Sequence, residues 1–206
     1  FSILGPSNYA KIGTTISAAG DINNDGFDDI VVGSFIANGF KGAAYVAYGS
    51  ANPTTIDIAN LDKSRGLKLL GSGIGYFGMS VAGGVDINHD SIPDIVVSNA
   101  AGYNLVRAFG VVTDSQLIYS GVLDMYISSD REKIELTTSQ NTDDGGQFVW
   151  VVGDVNLDGF ADFAISAPMN DVGGIKAGAV YIVYDVSASV ADSLTHAPVM
   201  HPTQAP

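Results

Sequence analysis

The chain has 206 residues, 46% of them apolar, enough to bury a sizeable core in one domain or two small ones. Its formal net charge of −13 argues against a nucleic-acid partner, because phosphate contact needs a basic patch. It has no cysteine, which excludes disulfides and thiolate metal sites, and it holds no run of about 18 apolar residues that would read as a membrane span.

The chain begins at Phe1 rather than Met, as a processed or excised chain would. A short strand is predicted over residues 2–4, a turn at Gly5-Pro6-Ser7-Asn8, and a second strand over residues 14–18. An acidic loop follows, Asp21-Ile22-Asn23-Asn24-Asp25-Gly26-Phe27-Asp28-Asp29, and then an apolar run, Ile30-Val31-Val32. A turn at residues 39–42 leads into a strand over residues 43–48.

The order then repeats. A strand over residues 67–70 and a turn at residues 71–73 precede residues 77–82, which enter a second loop, Asp86-Ile87-Asn88-His89-Asp90-Ser91-Ile92-Pro93-Asp94. Strands at residues 95–97 and 105–109 follow, and residues 111–133 read as an extra hairpin or loop. A third unit opens at residues 134–136 and passes through residues 145–152 into Asp154-Val155-Asn156-Leu157-Asp158-Gly159-Phe160-Ala161-Asp162. Strands at residues 164–166 and 178–184 close it. The Pro-, Ser- and Ala-rich stretch 186–206 reads as a tail or linker without a core of its own.

Each loop carries a side-chain oxygen at positions 1, 3, 5 and 9, which is the chemistry of a hard-cation site. Calcium takes six to eight oxygens at about 2.3–2.6 Å, and alternating side chains of a tight loop can point at one centre. A backbone carbonyl at position 7 (Phe27, Ile92, Phe160) can add a ligand, and the position-9 carboxylate can close the shell. Glycine at position 6 accommodates a sharp bend with positive φ. Asp, Asn and Gly also favour plain polar turns, but three in-phase copies favour the cation reading. A helix–loop–helix calcium site is rejected: it needs Glu at position 12, where this chain has Val32, Val97 and Ile165.

The expected architecture is all-β, with about four short strands per unit, as in the blades of a β-propeller. The units are placed at about residues 1–66, 67–133 and 134–185. Phe148, Trp150, Tyr45, Tyr48, Tyr181 and Tyr184 are expected in the blade core.

Further residues carry a family resemblance. Phe77-Gly78 precedes the second loop, Gly13 and Gly146 take the same place before the other two, Ser166-Ala167-Pro168 follows the third, and Gly178-Ala179-Val180-Tyr181 closes the unit. This resembles the FG-GAP repeat of integrin α-chain β-propeller heads and of secreted bacterial proteins, over residues 1–185. The resemblance implies up to three Ca²⁺ ions. Their side-chain ligands would be Asp21, Asn23, Asp25 and Asp29; Asp86, Asn88, Asp90 and Asp94; and Asp154, Asn156, Asp158 and Asp162. The chain departs from the pattern at Ile12-Gly13, at Gly145-Gly146, and at Ser91, which replaces the loop glycine. Loop two, with Ser91 and Pro93, is expected to be the weakest site.

Three units cannot close a propeller, so the array is read as an incomplete propeller or part of one, whose end faces take a protein partner or another copy. The function implied is a calcium-binding, non-catalytic module for protein binding or adhesion, extracellular or at the cell surface. The alternatives are a structural subunit of an extracellular assembly or filament, or the non-catalytic part of a secreted hydrolase. Catalysis is disfavoured because the carboxylates are assigned to cation loops. Of the histidines, His196 and His201 lie in the tail, and His89 takes a loop position read as turned away from the ion.

Overall fold

Strands form where β-branched and aromatic residues follow the loops. The computed structural model describes residues 1–71, 75–86, 91–99, 105–108, 122–124, 134–137, 147–171 and 173–184, with the backbone alone at residues 99, 105–108, 122–124 and 134–137. In chain order these form β1 (Ile3–Leu4), β2 (Thr15–Gly20), β3 (Asp29–Ser34), a distorted helical turn α1 (Ala37–Phe40), β4 (Ala43–Ala47), β5 (Ile56–Asp57), a 3₁₀ turn (Ile58–Asn60), β6 (Gly66–Leu70) and β7 (Phe77–Val85). Then come β8 (Asp94–Asn99), β9 (Leu105–Ala108), β10 (Val122–Asp124), β11 (Ile134–Thr137), β12 (Val149–Gly153), β13 (Asp162–Ala167) and β14 (Ala179–Val183). The architecture is all-β, as the sequence predicts.

Each acidic loop joins two antiparallel strands: β2 to β3, β7 to β8, and β12 to β13. A register shift interrupts each of these pairings. β4 extends the first sheet and β14 the third. β6 then pairs antiparallel with β4, although it runs from Gly66 into the expected second unit, and β11 pairs in the same way with β9. The outer strand beside each of these closing strands is thus supplied by later chain. β10 adds parallel to β6 at the sheet edge; the rest of residues 111–133, read as an extra hairpin or loop, lies outside the described residues.

The sheets pack face to face through two apolar layers. Val31, Val46, Leu67 and Leu69 of the first sheet meet Phe77, Val81, Ile95 and Val97 of the β7–β8 sheet. Ala82 and Val96 on the other side of the second unit meet Val149, Phe163, Ile165 and Tyr181 of the third. A third layer covers the outer face of the first unit, where Tyr45 and Ala47 lie under Ala10, Ala37, Ile56 and Ile58. Stacked, twisted sheets with alternate faces in contact are the packing of propeller blades. Among the described residues the three units form a partial propeller and close no ring.

The glycines of the sequence motif act where units touch. An isolated parallel bridge joins Gly42 to Phe77. A Cβ on Gly42 would stand 2.0 Å from the Phe77 carbonyl oxygen, and one on Gly78 would stand 2.1 Å from that of Ala43. Both glycines also have positive φ, 83° and 80°. No side chain larger than hydrogen fits between these backbones, so the motif is a packing device at the blade boundary.

Hydroxyl side chains reinforce the boundaries. Thr15 Oγ1 accepts the Val81 N–H, and Ser80 Oγ accepts the Val149 N–H. Ser34 Oγ donates to the Ala10 carbonyl and ties the N-terminal segment to the first unit.

Candidate cation-binding loops

Loop one is organised by its own side chains. Asp21 accepts the backbone N–H of Asp25 on Oδ1 (2.9 Å) and that of Gly26 on Oδ2 (2.8 Å). Asn23 Oδ1 accepts the Asp25 N–H at 3.2 Å, and Asp25 Oδ1 accepts the Phe27 N–H at 3.0 Å. Asn23 Nδ2 donates to Asp25 Oδ2 at 2.8 Å. Short polar side chains bonding to the backbone two to five residues on are what make such a turn local.

Loop three repeats this almost bond for bond. Asp154 takes the N–H groups of Asp158 (3.0 Å) and Gly159 (2.8 Å), Asn156 Oδ1 takes that of Asp158 (3.1 Å), and Asp158 Oδ1 takes that of Phe160 (2.9 Å). Asn156 Nδ2 donates to Asp158 Oδ2 at 2.6 Å. In loop two, Asp86 Oδ2 accepts the Ser91 N–H at 2.8 Å, the counterpart of the bond to position 6 in the other loops. Asn88 and Asp90 lie outside the described residues, as does His89.

The backbone explains the loop composition. Position 6 has positive φ in all three loops: 90° at Gly26, 71° at Ser91 and 97° at Gly159. The strain expected at Ser91 is therefore present. Position 4, which the sequence reading passed over, is also left-handed, with φ 56° at Asn24 and 62° at Leu157. Asn at position 4 of loop one was the available signal, because Asn tolerates this region better than most residues.

The position-9 carboxylates differ from the others. Asp29, Asp94 and Asp162 are buried at the start of β3, β8 and β13, whereas positions 1, 3 and 5 of loop three are exposed. Asp29 Oδ2 accepts the Ile22 N–H at 3.0 Å, and Asp162 Oδ2 accepts the Val155 N–H at 2.8 Å. These bonds staple loop position 2 to the strand. Asp29 Oδ1 takes the Gly49 N–H just past β4. The buried Asp162 Oδ1 has no hydrogen-bond partner among the described residues, and the position matching Gly49 is 185, outside them.

The electrostatics suit a cation. Burial pushes the Asp29 carboxyl up to about 6, the negative charges of Asp25 and Asp21 push the same way, and the bonds from Gly49 and Ile22 offset this in part. Tyr48, missed as a neighbour of the loop, is pushed up to about 12 by burial and then by Asp29 and Asp25. A buried carboxylate among like charges is short of positive charge, and an all-oxygen donor set is the kind a hard cation takes. The donors therefore fit Ca²⁺ chemically. Their present arrangement is that of a loop bonded to itself: among the described residues no group of three or more His, Cys, Asp or Glu is gathered at metal-ligand spacing.

The structure therefore defines a β-propeller-type repeat array with an acidic loop in each unit. The FG-GAP repeat family matches residues 13–46, 77–117 and 151–183, slightly more than half of the chain. The chain belongs to the FG-GAP repeat family. It is similar to integrin alpha pat-2 of Caenorhabditis briggsae, 33% identical over 102 residues, covering 47% of this chain and 8% of that protein. It is 30% identical over 120 residues to integrin alpha-5 of Xenopus laevis, covering 58% of this chain and 10% of that protein. To integrin alpha-M of Mus musculus it is 30% identical over 104 residues, 48% of this chain and 8% of that protein. The chain thus spans at most a tenth of the length of these curated relatives.

Proposed function

We propose that the chain is a calcium-stapled, non-catalytic binding module of an extracellular, adhesion-type protein. Its three units would each hold one ion. In the outer loops the ligands would be the side chains of Asp21, Asn23, Asp25 and Asp29, and of Asp154, Asn156, Asp158 and Asp162, with the carbonyls of Phe27 and Phe160. Asp86, Asn88, Asp90 and Asp94 with the Ile92 carbonyl would form the second and weakest site. Similarity to integrin alpha chains supports a protein partner and an extracellular setting.

The observation that carries this reading is the position-9 carboxylate. It is buried in every unit, and at Asp29 it is held in a region of uncompensated negative charge. A cation there would neutralise the loop and lock it to the strand behind. Because the ion would bind the folded loop and not the unfolded chain, it would stabilise by mass action, by about 2.7 kcal/mol per site at a hundredfold excess over Kd. The test is thermal unfolding of the full chain in millimolar calcium and in excess chelator. A clear rise in Tm with calcium is expected, and coincident curves would oppose the reading.

A further inference from the structure

Of the aromatic residues expected in the blade core, Tyr45, Tyr48 and Tyr181 are buried, whereas Phe148, Trp150 and Tyr184 are 44%, 51% and 52% exposed, which corrects the expectation for these three. A buried phenol ordinarily finds a hydrogen-bond partner. Tyr181 does: its hydroxyl accepts from Asn170 Nδ2 at 2.9 Å. Tyr48 is 7% exposed, and its hydroxyl is buried with no such partner among the described residues.

The chain sets Tyr48 against loop one. Ala47, the last residue of β4, pairs with Ile30, so Tyr48 leaves the strand next to the position-9 carboxylate. The following residue, Gly49, donates its N–H to Asp29 Oδ1 at 2.8 Å. Alternation along β4 turns Ala44, Val46 and Tyr48 into the layer that also holds Ile22, at loop position 2, whose N–H goes to Asp29 Oδ2. Tyr45 turns into the opposite layer. The electrostatics separate the two phenols in the same way. Burial, and then the negative charges of Asp29 and Asp25, push Tyr48 up, whereas burial alone pushes Tyr45 up.

We propose that the Tyr48 hydroxyl is part of the loop-one cation site and finds its partners there when the loop gathers an ion. The inference deepens the calcium reading of the loops and rests on it. Asp21, Asn23, Asp25, Asp29 and the Phe27 carbonyl bring five donor groups, where calcium takes six to eight oxygens. A phenol adds a neutral oxygen, which brings no further charge into a cluster of carboxylates, and its proton can go to a carboxylate or to water on the ion. In the loop bonded to itself, Asp25 Oδ2 takes Asn23 Nδ2 and Asp25 Oδ1 takes the Phe27 N–H. An amide N–H cannot face a cation, so Asn23 has to present its oxygen instead, which releases Asp25 Oδ2. The cost of a buried hydroxyl without a partner in the self-bonded loop is then offset in the loaded one.

The experiment is calorimetric titration of the full chain with calcium, together with thermal unfolding in chelator, for the unaltered protein, Tyr48→Phe and Tyr45→Phe. Tyr48→Phe should raise the Kd of one site by about fivefold while raising the Tm in chelator. A hydroxyl that serves only the fold would not move the two readouts in opposite senses. Tyr45→Phe should leave the affinity unchanged, and in an Asp25→Asn background Tyr48→Phe should change calcium binding no further. If the unaltered chain binds no calcium, the reading of the loops fails and the inference with it. If it binds calcium and Tyr48→Phe binds as tightly, that reading stands and the inference alone is overturned. An equal loss of affinity in Tyr45→Phe would overturn it too. So would a Tm in chelator lowered by Tyr48→Phe, which would place the partner of the hydroxyl in the calcium-free fold.

Discussion

Ser80 Oγ accepts the Val149 N–H at 3.2 Å and faces the Val149 carbonyl at 3.4 Å, so one buried hydroxyl joins β7 of the second unit to β12 of the third. It takes the part of a neighbouring strand at a boundary where no ladder runs. Ser80→Ala would leave buried backbone groups of Val149 without this partner, at a cost of about 1–3 kcal/mol. Thermal unfolding should show the loss. Ser80→Thr, which keeps a hydroxyl, should lose less.

Two loop positions pay for a left-handed backbone without the residue that tolerates it best. Ser91→Gly at position 6 of loop two should stabilise by about 1 kcal/mol, because φ there is 71°. Leu157→Asn at position 4 of loop three should gain a similar amount, about 1 kcal/mol, since Leu157 has φ 62° and is 86% exposed, with little packing to lose. Chemical denaturation midpoints at constant slope would register both gains.

Tyr48 carries a buried hydroxyl with no hydrogen-bond partner among the described residues, close to the negative charges of Asp29 and Asp25. Tyr48→Phe removes an unsatisfied polar atom and keeps the ring, so it should raise stability by about 1 kcal/mol in calorimetry of the calcium-free protein. A loss of stability would show that the hydroxyl serves the loop.

The strands were legible because each loop is followed by an apolar run that only a buried strand can use, and because the Gly-rich turns fall at regular places. Three things were not. The pairing of β6 with β4 depends on later chain returning to an earlier sheet, which a repeat period does not reveal. The exposure of Phe148, Trp150 and Tyr184 depends on whether a neighbour covers that face, while the strand pattern is the same with or without one. The loop residues were legible as a donor set, but the bonds they make to backbone N–H groups depend on the left-handed turns at positions 4 and 6, and only position 6 had a glycine to mark it.

The Asp29 carboxyl predicts opposite pH responses with and without calcium. Its value in the folded state, about 6, lies above the ordinary 3.8, so in chelator its contribution to stability is full below about 3.8 and is lost as pH rises through about 6. Calcium needs the ionised carboxylate, so protons compete with it and its stabilising effect should fade as pH drops below about 6. Unfolding curves from pH 4 to 8 in both conditions should therefore diverge toward high pH. Asp29→Asn should flatten both dependences.

The central claim, that the loops are calcium staples, is tested most directly by calorimetric titration of the full chain with calcium at pH 7, beside Asp25→Asn and Asp158→Asn. More than one site is predicted, with each substitution removing or greatly weakening one of them and lowering the calcium-dependent rise in Tm. An absence of binding at millimolar calcium, with melting unchanged by chelator in all three proteins, would contradict the account and leave the loops as turns held by their own hydrogen bonds.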